Sequence, residues 1–302
     1  MNLKRLTNDL LRFTVPELEN LKAYKTEGRK IFYQISNFIK SNSRYIISKQ
    51  FIAGSIGKNT FLGYNLEPGF EVVLFVRNHT YLATLTPVTE EFHSILQNLP
   101  SRSEYWSSFV LMPPLQNGFG VQFSFETTII GQSTDPKAVT IEFELLPAYD
   151  FSSNVDEQTQ TVLKKLGLST NLVMDNNMYS GSLSEKTVEF VKNQSDFVHN
   201  VIRLAKLWDM KLLEDVRRLR DGDSDISERS SIIELIAIHA AQRSEGDILE
   251  SFRTFLYLMM DIRRVNINFS NQNCDQFLGM KIIDGVNPYR NYVCQWAEPC
   301  LH

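Results

Sequence analysis

With 302 residues, 43% of them hydrophobic and 22% charged, the chain has the composition of a soluble globular protein able to bury a large core, as one two-lobed unit or as two domains. No apolar run approaches the roughly 20 residues of a membrane span, and the first residues, Met-Asn-Leu-Lys-Arg-Leu, lack a signal-peptide core, which excludes membrane-spanning and points to cytoplasmic or nuclear residence. The net charge of −4 is segregated: residues 1–60 carry eleven Lys and Arg against four acids, and the remainder carries 20 bases and 31 acids. Such a split suggests one polyanion-facing surface, against the plainer reading of ordinary fluctuation on a solvated face.

Along the chain, residues 2–13 read as a short helix. After Pro16 a longer helical pattern runs from about Glu17 to Lys40. Its apolar stripe is Ile31, Phe32, Ile35, Phe38 and Ile39, spaced for one helix face. Lys22, Lys25, Arg29 and Lys40 fall together on the opposite face at about 100° per residue, an arrangement suited to the phosphates of an RNA duplex. Gly28 inside this run predicts a bend or break. Strands are expected over Ile46–Ala53, Phe70–Val76, Gly120–Phe125, Thr127–Ile130 and Val139–Leu146, which are rich in Val, Ile and Phe. A helix around Thr89–Leu99 interrupts them. Residues 151–185 are polar and acidic and read as loop. Helices are then expected over Val188–Trp208, Ser230–Ala241 and Asp247–Val265. The expected class is α+β, with a mixed sheet lobe and its helical spine over residues 1–185 and a helical lobe over residues 186–302.

Two segments carry chemistry. Gly54-Ser55-Ile56-Gly57-Lys58-Asn59-Thr60 leads through Gly69 into Phe70-Glu71-Val72-Val73-Leu74-Phe75, and Ile141-Glu142-Phe143-Glu144-Leu145-Leu146-Pro147-Ala148-Tyr149-Asp150 follows far downstream. A polymerase-type nucleotidyltransferase uses a Gly-Ser turn to approach a triphosphate. It also uses two carboxylates at alternate positions of the next strand and a third on a neighbouring strand, which together hold two Mg²⁺ ions. Alternate positions matter because only residues i and i+2 share a strand face. Here that pair is Gly69 and Glu71, so the first ligand is missing.

The resemblance is to the 2′-5′-oligoadenylate synthetase branch of the nucleotidyltransferase superfamily, the branch related to cyclic GMP-AMP synthase. Residues 54–60 resemble its G-S-x-G-K-G-T turn. Phe143–Asp150 resemble F-D-V-L-P-A-F-D, Val201–Trp208 resemble L-I-R-L-V-K-H-W, and Ile233–Ala240 resemble L-E-L-L-T-V-Y-A. Asn287-Pro288 followed by Trp296 is similar to the terminal D-P…W segment. These blocks occur in the family's order over nearly the whole chain. The resemblance implies a nucleotidyltransferase-like fold and, for an intact member, Mg²⁺-dependent oligoadenylate synthesis triggered by double-stranded RNA.

Position by position, the resemblance implies a degenerate catalytic centre. The family's D-x-D falls on Gly69 and Glu71, or on Glu67 and Gly69 in the alternative alignment, and its third Asp is Glu144. Gly54 and Ser55 remain as a vestigial nucleotide turn. Family lysines fall on Phe197 and His199, and a Gln-Tyr pair falls on Ser230 and Ser231. The expectation is therefore no catalysis and no cofactor. In the alternative, Glu67, Glu71 and Glu144 gather Mg²⁺ or Mn²⁺ and the protein makes an oligoadenylate or cyclic dinucleotide. Expected RNA contacts are Lys22, Lys25, Arg29, Lys40, Lys49, Lys58 and Lys192. Expected partners are structured or double-stranded RNA and a protein such as a second nucleotidyltransferase-like subunit, with no membrane.

Other signals carry less. Cys294, Cys300 and His302 lie close in sequence, but no Cys-x₂-Cys spacing supports zinc. Together with Cys274 they read as reduced thiols. His239 sits on an apolar helix and reads as a satisfied core histidine.

Overall fold

The structure is a computed structural model that describes residues 18–62, 69–77, 84–100, 106–114, 120–130, 136–217, 226–244, 246–262, 265–269 and 281–292. The expected helix over residues 2–13, Glu67, the three cysteines and Trp296 lie outside the described residues. The chain divides into two compact units, and the boundary falls between Glu189 and Phe190.

Helix α1 (Leu18–Asn42) runs through its whole length without a break. Ile31, Phe32, Ile35 and Ile39 are buried on one side, as their spacing predicts, with Phe38 partly buried beside them. The break expected at Gly28 is absent, and the glycine has a different cause. A Cβ there would stand 2.2 Å from the Phe70 ring, so glycine is what lets α1 approach the sheet. Phe70 cannot yield, because it is fully buried, stacks on Phe143 at 5.2 Å and lies 6.0 Å from Tyr24. Gly28→Ala is therefore expected to destabilise the fold by about 1–3 kcal/mol through overpacking, although alanine by itself favours helix by about 1 kcal/mol. A urea midpoint that rises instead of falling would show that helix propensity wins at this site.

The sheet comprises β1 (Ile46–Ile52), β2 (Phe70–Arg77), β3 (Phe109–Leu111), β4 (Val121–Ile130) and β5 (Pro136–Tyr149), in the order β1-β2-β5-β4-β3. Only β2 and β5 pair in parallel. The segments expected as two strands, 120–125 and 127–130, form the single strand β4, which runs beside β5 from Val121 to Ile130. The short edge strand β3 escaped the sequence reading, because three residues are too few to show a period.

Alternation sorts the sheet's faces. Val139, Ile141, Phe143 and Leu145 of β5 and Phe70, Val72, Leu74 and Val76 of β2 enter the main core. That core also takes in α1 and Val88, Phe92 and Leu96 of α3 (Thr86–Gln97). On the other face Val73, Phe75 and Ala148 pack with Ala53 and Val188 in a smaller cluster.

Residues 151–185 are not loop, which corrects the sequence reading. They hold α4 (Val155–Gly167), α5 (Leu172–Tyr179) and the start of α6 (Ser184–Lys192). Polar content misled because the polar residues are caps. Asn154 Oδ1 accepts from the Asp156 and Glu157 amides, and Asn171 Oδ1 accepts from the Met174 amide. The acids at the start of α4 also suit the helix dipole.

In the second unit, the helix expected over Val188–Trp208 is two, α6 and α7 (Asp196–Arg217). The chain restarts at Ser195, whose Oγ accepts from the Val198 amide at 3.3 Å and whose carbonyl accepts from the His199 amide. Helices α8 (Ile226–Arg243) and α9 (Ile248–Met260) complete the helical core with α7. Lys206 of α7, half-buried, and Glu234 of α8, buried, form an ion pair at 2.5 Å beside it. Two short parallel strands, β6 (Asn266–Ile267) and β7 (Lys281–Ile282), follow.

Candidate nucleotide site and basic face

The Gly-Ser turn forms the single helical turn α2 (Gly54–Lys58), between β1 and the chain leading to β2. Two of its glycines are required. Gly54 has φ +59°, and a Cβ on it would lie 2.9 Å from Glu71 Cβ and 3.1 Å from Glu71 Oε2. A Cβ on Gly57 would meet the Ile52 carbonyl oxygen at 2.4 Å. Asn59 stands where the resembled pattern has a third glycine, and it takes φ 60°, a left-handed conformation that Asn accepts more readily than other side chains. Its amide bonds back to Ile56 and Ser55, and the Thr60 amide bonds to the Ser55 carbonyl at 2.9 Å. The turn thus keeps its shape although its sequence departs from the pattern.

Beside this turn the strand register brings the candidate carboxylates together. Glu71 of β2 pairs with Glu144 of β5, which pairs in turn with Gln122 of β4. Neighbouring strands lie about 4.8 Å apart, so Glu71, Glu144 and Gln122 form a row across three strands. Both glutamates are half-buried. Glu142 shares the face of Glu144, is exposed and pairs with Ser124. The sequence reading assigned Glu142 no role, although its i, i−2 spacing from Glu144 was legible. Gln122 carried no signal, because its place depends on a register between strands.

Gly69 directly precedes β2 and is exposed. The nearest atoms to a Cβ there would be the Glu142 carbonyl oxygen at 3.8 Å and Glu142 Cβ at 4.0 Å, ordinary contacts. Crowding therefore does not explain the missing carboxylate; there is room for one. Among the described residues no group of three or more His, Cys, Asp and Glu side chains is placed to hold a metal ion. Glu67, the third candidate ligand, lies outside the described residues.

The positions corresponding to the family's phosphate-facing lysines serve packing. Phe197 lies against the helical core, and His199 is buried with Nε2 2.9 Å from the Val191 carbonyl oxygen, to which it donates. Ser230 and Ser231 are half-buried on α8. His239 is half-buried, meets Phe269 edge-on and accepts from Arg243 Nη1 at 3.1 Å. Burial first and the neighbouring guanidinium second hold its pKa below the usual histidine value.

The expected RNA contacts separate into distinct groups. Lys22, Arg29 and Lys40 are exposed on α1, on the side away from its core stripe. Lys25 is half-buried at the border, with Nζ 3.8 Å from the centre of the Phe61 ring. Lys49 is held inward by an ion pair with Glu185 and lies over the Phe75 ring. Lys58 ends α2 and is half-buried. Lys192 is exposed in the last turn of α6, in the second unit. The structure therefore gathers Lys22, Lys25, Arg29 and Lys40 on one helix and leaves Lys49 engaged elsewhere. No helix among the described residues is long and apolar enough to cross a membrane.

Comparison with known proteins bears on the fold. No protein-family model matches the chain, and no curated protein sequence matches it. Among solved structures, CdnC of E. coli MS115-1 in complex with HORMA-deltaN aligns with a TM-score of 0.55 at 16% identity, covering 92% of this chain and 78% of that one. CdnC of the same strain with ATP aligns with a TM-score of 0.55 at 16% identity, over 93% and 82% of the two chains. A CdnE cyclic dinucleotide synthase of Elizabethkingia meningoseptica with GTP and Apcpp aligns at 0.40 and 14% identity, over 78% and 77%, too distant to carry an argument. With its five-stranded mixed sheet and flanking helices, this chain has the nucleotidyltransferase-like fold seen in CdnC.

Proposed function

We propose that this chain is a non-catalytic protein of nucleotidyltransferase-like fold that binds structured or double-stranded RNA along α1. The observation that carries the non-catalytic half is Gly69, where a Cβ would meet only ordinary contacts, at a position to which the resemblance assigns a carboxylate. Glu71 and Glu144 alone provide one ligand per strand. Positioning and electrostatic stabilisation both depend on the absent group.

The RNA half is supported by the row Lys22, Arg29 and Lys40, exposed on a helix whose other side is core. From Lys22 to Lys40 the row spans about 27 Å at 1.5 Å per residue. Cations on a rigid rod contact phosphates without reading bases. A scaffold role through a protein partner, such as a second nucleotidyltransferase-like subunit, is the companion reading. CdnC in complex with HORMA-deltaN shows a protein of this fold in an assembly.

A catalytic reading has one observation in its favour, the register that sets Glu71 beside Glu144. One experiment separates the readings. Purified protein is incubated with the four NTPs, Mg²⁺ and Mn²⁺, with and without a long RNA duplex, while pyrophosphate release and duplex binding are followed together. The expected result is no pyrophosphate and salt-sensitive duplex binding. Release that disappears in Glu71→Ala or Glu144→Ala would overturn the non-catalytic reading. Neither signal would leave the scaffold role.

A further inference from the structure

The corner between α4 and α5 exposes apolar side chains in a concentration that the rest of its unit does not explain. Leu168 is 76% exposed, Val173 59% and Met174 51%, all within seven residues. Single exposed apolar residues are ordinary, but three within seven residues of chain are a local concentration of the kind found at contact surfaces. Lys164 and Lys165, in the last turn of α4, are exposed immediately before it. From Gln158 to Met174 the sequence holds no acidic residue, in a chain with 35 of them. The acid that follows, Asp175, acts on two hydroxyls: burial first, then Tyr179 and Asp175, raise the Tyr149 pKa, and burial first, then Asp175, raise that of Tyr179.

The corner is also internally bonded. The Leu168 amide bonds to Lys165 and Leu166, the Ser169 amide to Leu166, and the Asn171 amide to Ser169 Oγ. The Met174 amide bonds to Asn171 Oδ1 and the Asp175 amide to the Asn171 carbonyl. These five amides are satisfied within the corner, so they add little to the desolvation cost of bringing it against an apolar medium.

We propose that this corner is a peripheral contact for an anionic lipid surface, with Leu168, Val173 and Met174 entering the headgroup–acyl boundary and Lys164 and Lys165 meeting the headgroup charge. The lysines select this occupant over a neutral apolar groove, since each cation near an anionic bilayer strengthens binding roughly fivefold. The expectation of no membrane partner came from the lack of a spanning segment, which peripheral contact does not require. This inference is independent of the RNA reading.

The test is co-sedimentation of the full chain with phosphatidylcholine vesicles, with or without phosphatidylserine, at low and high salt. Binding is expected on the phosphatidylserine vesicles alone. The triple variant Leu168→Ser, Val173→Ser, Met174→Ser should lower partitioning at least tenfold, and Lys164→Glu with Lys165→Glu should remove the lipid preference. The triple variant should keep the wild-type melting temperature; the lysine variant, which also takes the Lys165 ammonium from over the Phe151 ring at 5.0 Å, should melt within a few degrees of it, and both should keep duplex binding. Variants of Lys22, Arg29 and Lys40 should leave vesicle binding unchanged; if they abolish it instead, the α1 face is the lipid contact and the proposal falls. It also falls if no vesicle is bound, or if the triple variant binds as well as wild type. Self-association lost in the triple variant, without vesicle binding, would assign the corner to a second copy of the chain.

Discussion

Replacing Lys22, Arg29 and Lys40 together by glutamate is expected to weaken duplex RNA binding by two to three orders of magnitude near 0.1 M salt. Each cation on a phosphate releases counterions, and with a slope of about 0.9 per phosphate one cation contributes roughly eightfold at that concentration. Removing all three cations therefore gives about 500-fold, and the log–log salt slope should flatten by about 2.7. The three side chains are exposed on α1 and lie off its buried stripe, so the melting temperature should stay within a few degrees of wild type. Lys25 is left in place because its ammonium caps the Phe61 ring, and Lys49 because of its ion pair with Glu185. Filter binding across a salt series measures both quantities. An unchanged slope would move the duplex off α1 altogether.

Gln158→Leu is expected to be strongly damaging for a polar-to-apolar change, lowering stability by about 2–4 kcal/mol. This side chain is 1% exposed and makes four hydrogen bonds. Oε1 accepts from the Phe151 amide at 2.7 Å and the Ser152 amide at 3.1 Å. Nε2 donates to the Tyr149 carbonyl at 2.7 Å and the Ser182 carbonyl at 3.2 Å. Ser182 Oγ in turn accepts from the Tyr149 amide at 2.9 Å. Leucine conserves much of the volume but strands two buried carbonyl acceptors, at about 1–3 kcal/mol each, while the two half-buried amide donors can turn to water and cost less. Gln158→Glu distinguishes polar bonding from packing. It keeps both acceptor contacts and loses both donations, so it should fall between leucine and wild type near neutral pH. If all three proteins share a chemical-denaturation midpoint, the network contributes nothing to stability.

Much of the fold was legible because its signals are local. The apolar stripe of α1, the β-branched runs of β1, β2 and β5, and the helical pattern of α8 and α9 all appear where their periods predict. The errors arise where a residue's role is set by something distant. Gly28 read as a helix breaker because its reason, the Phe70 ring, lies on another element. The polar residues of 151–185 read as loop because Asn154, Asn171 and Gln158 show their capping and bridging only once their hydrogen-bond partners are in place. At the site, the Gly-Ser turn could be found from its spacing, and the structure adds the reason Asn59 is tolerated there. The basic face was half legible. Helical periodicity placed Lys22, Arg29 and Lys40 correctly, but nothing local foretold that Glu185 would engage Lys49.

By itself, the sequence determined that the chain has a Gly-Ser turn, a strand pattern led in by Gly69, and a long helix with an apolar and a basic side. Turn chemistry and hydrophobic period act over a few residues and survive without any partner. Only the tertiary structure decided that Glu71, Glu144 and Gln122 stand in one row, that a Cβ on Gly69 would meet no clash, and that Leu168, Val173 and Met174 are each exposed. Register, close approach and exposure are relations between segments far apart in the chain, and they exist only once those segments have packed.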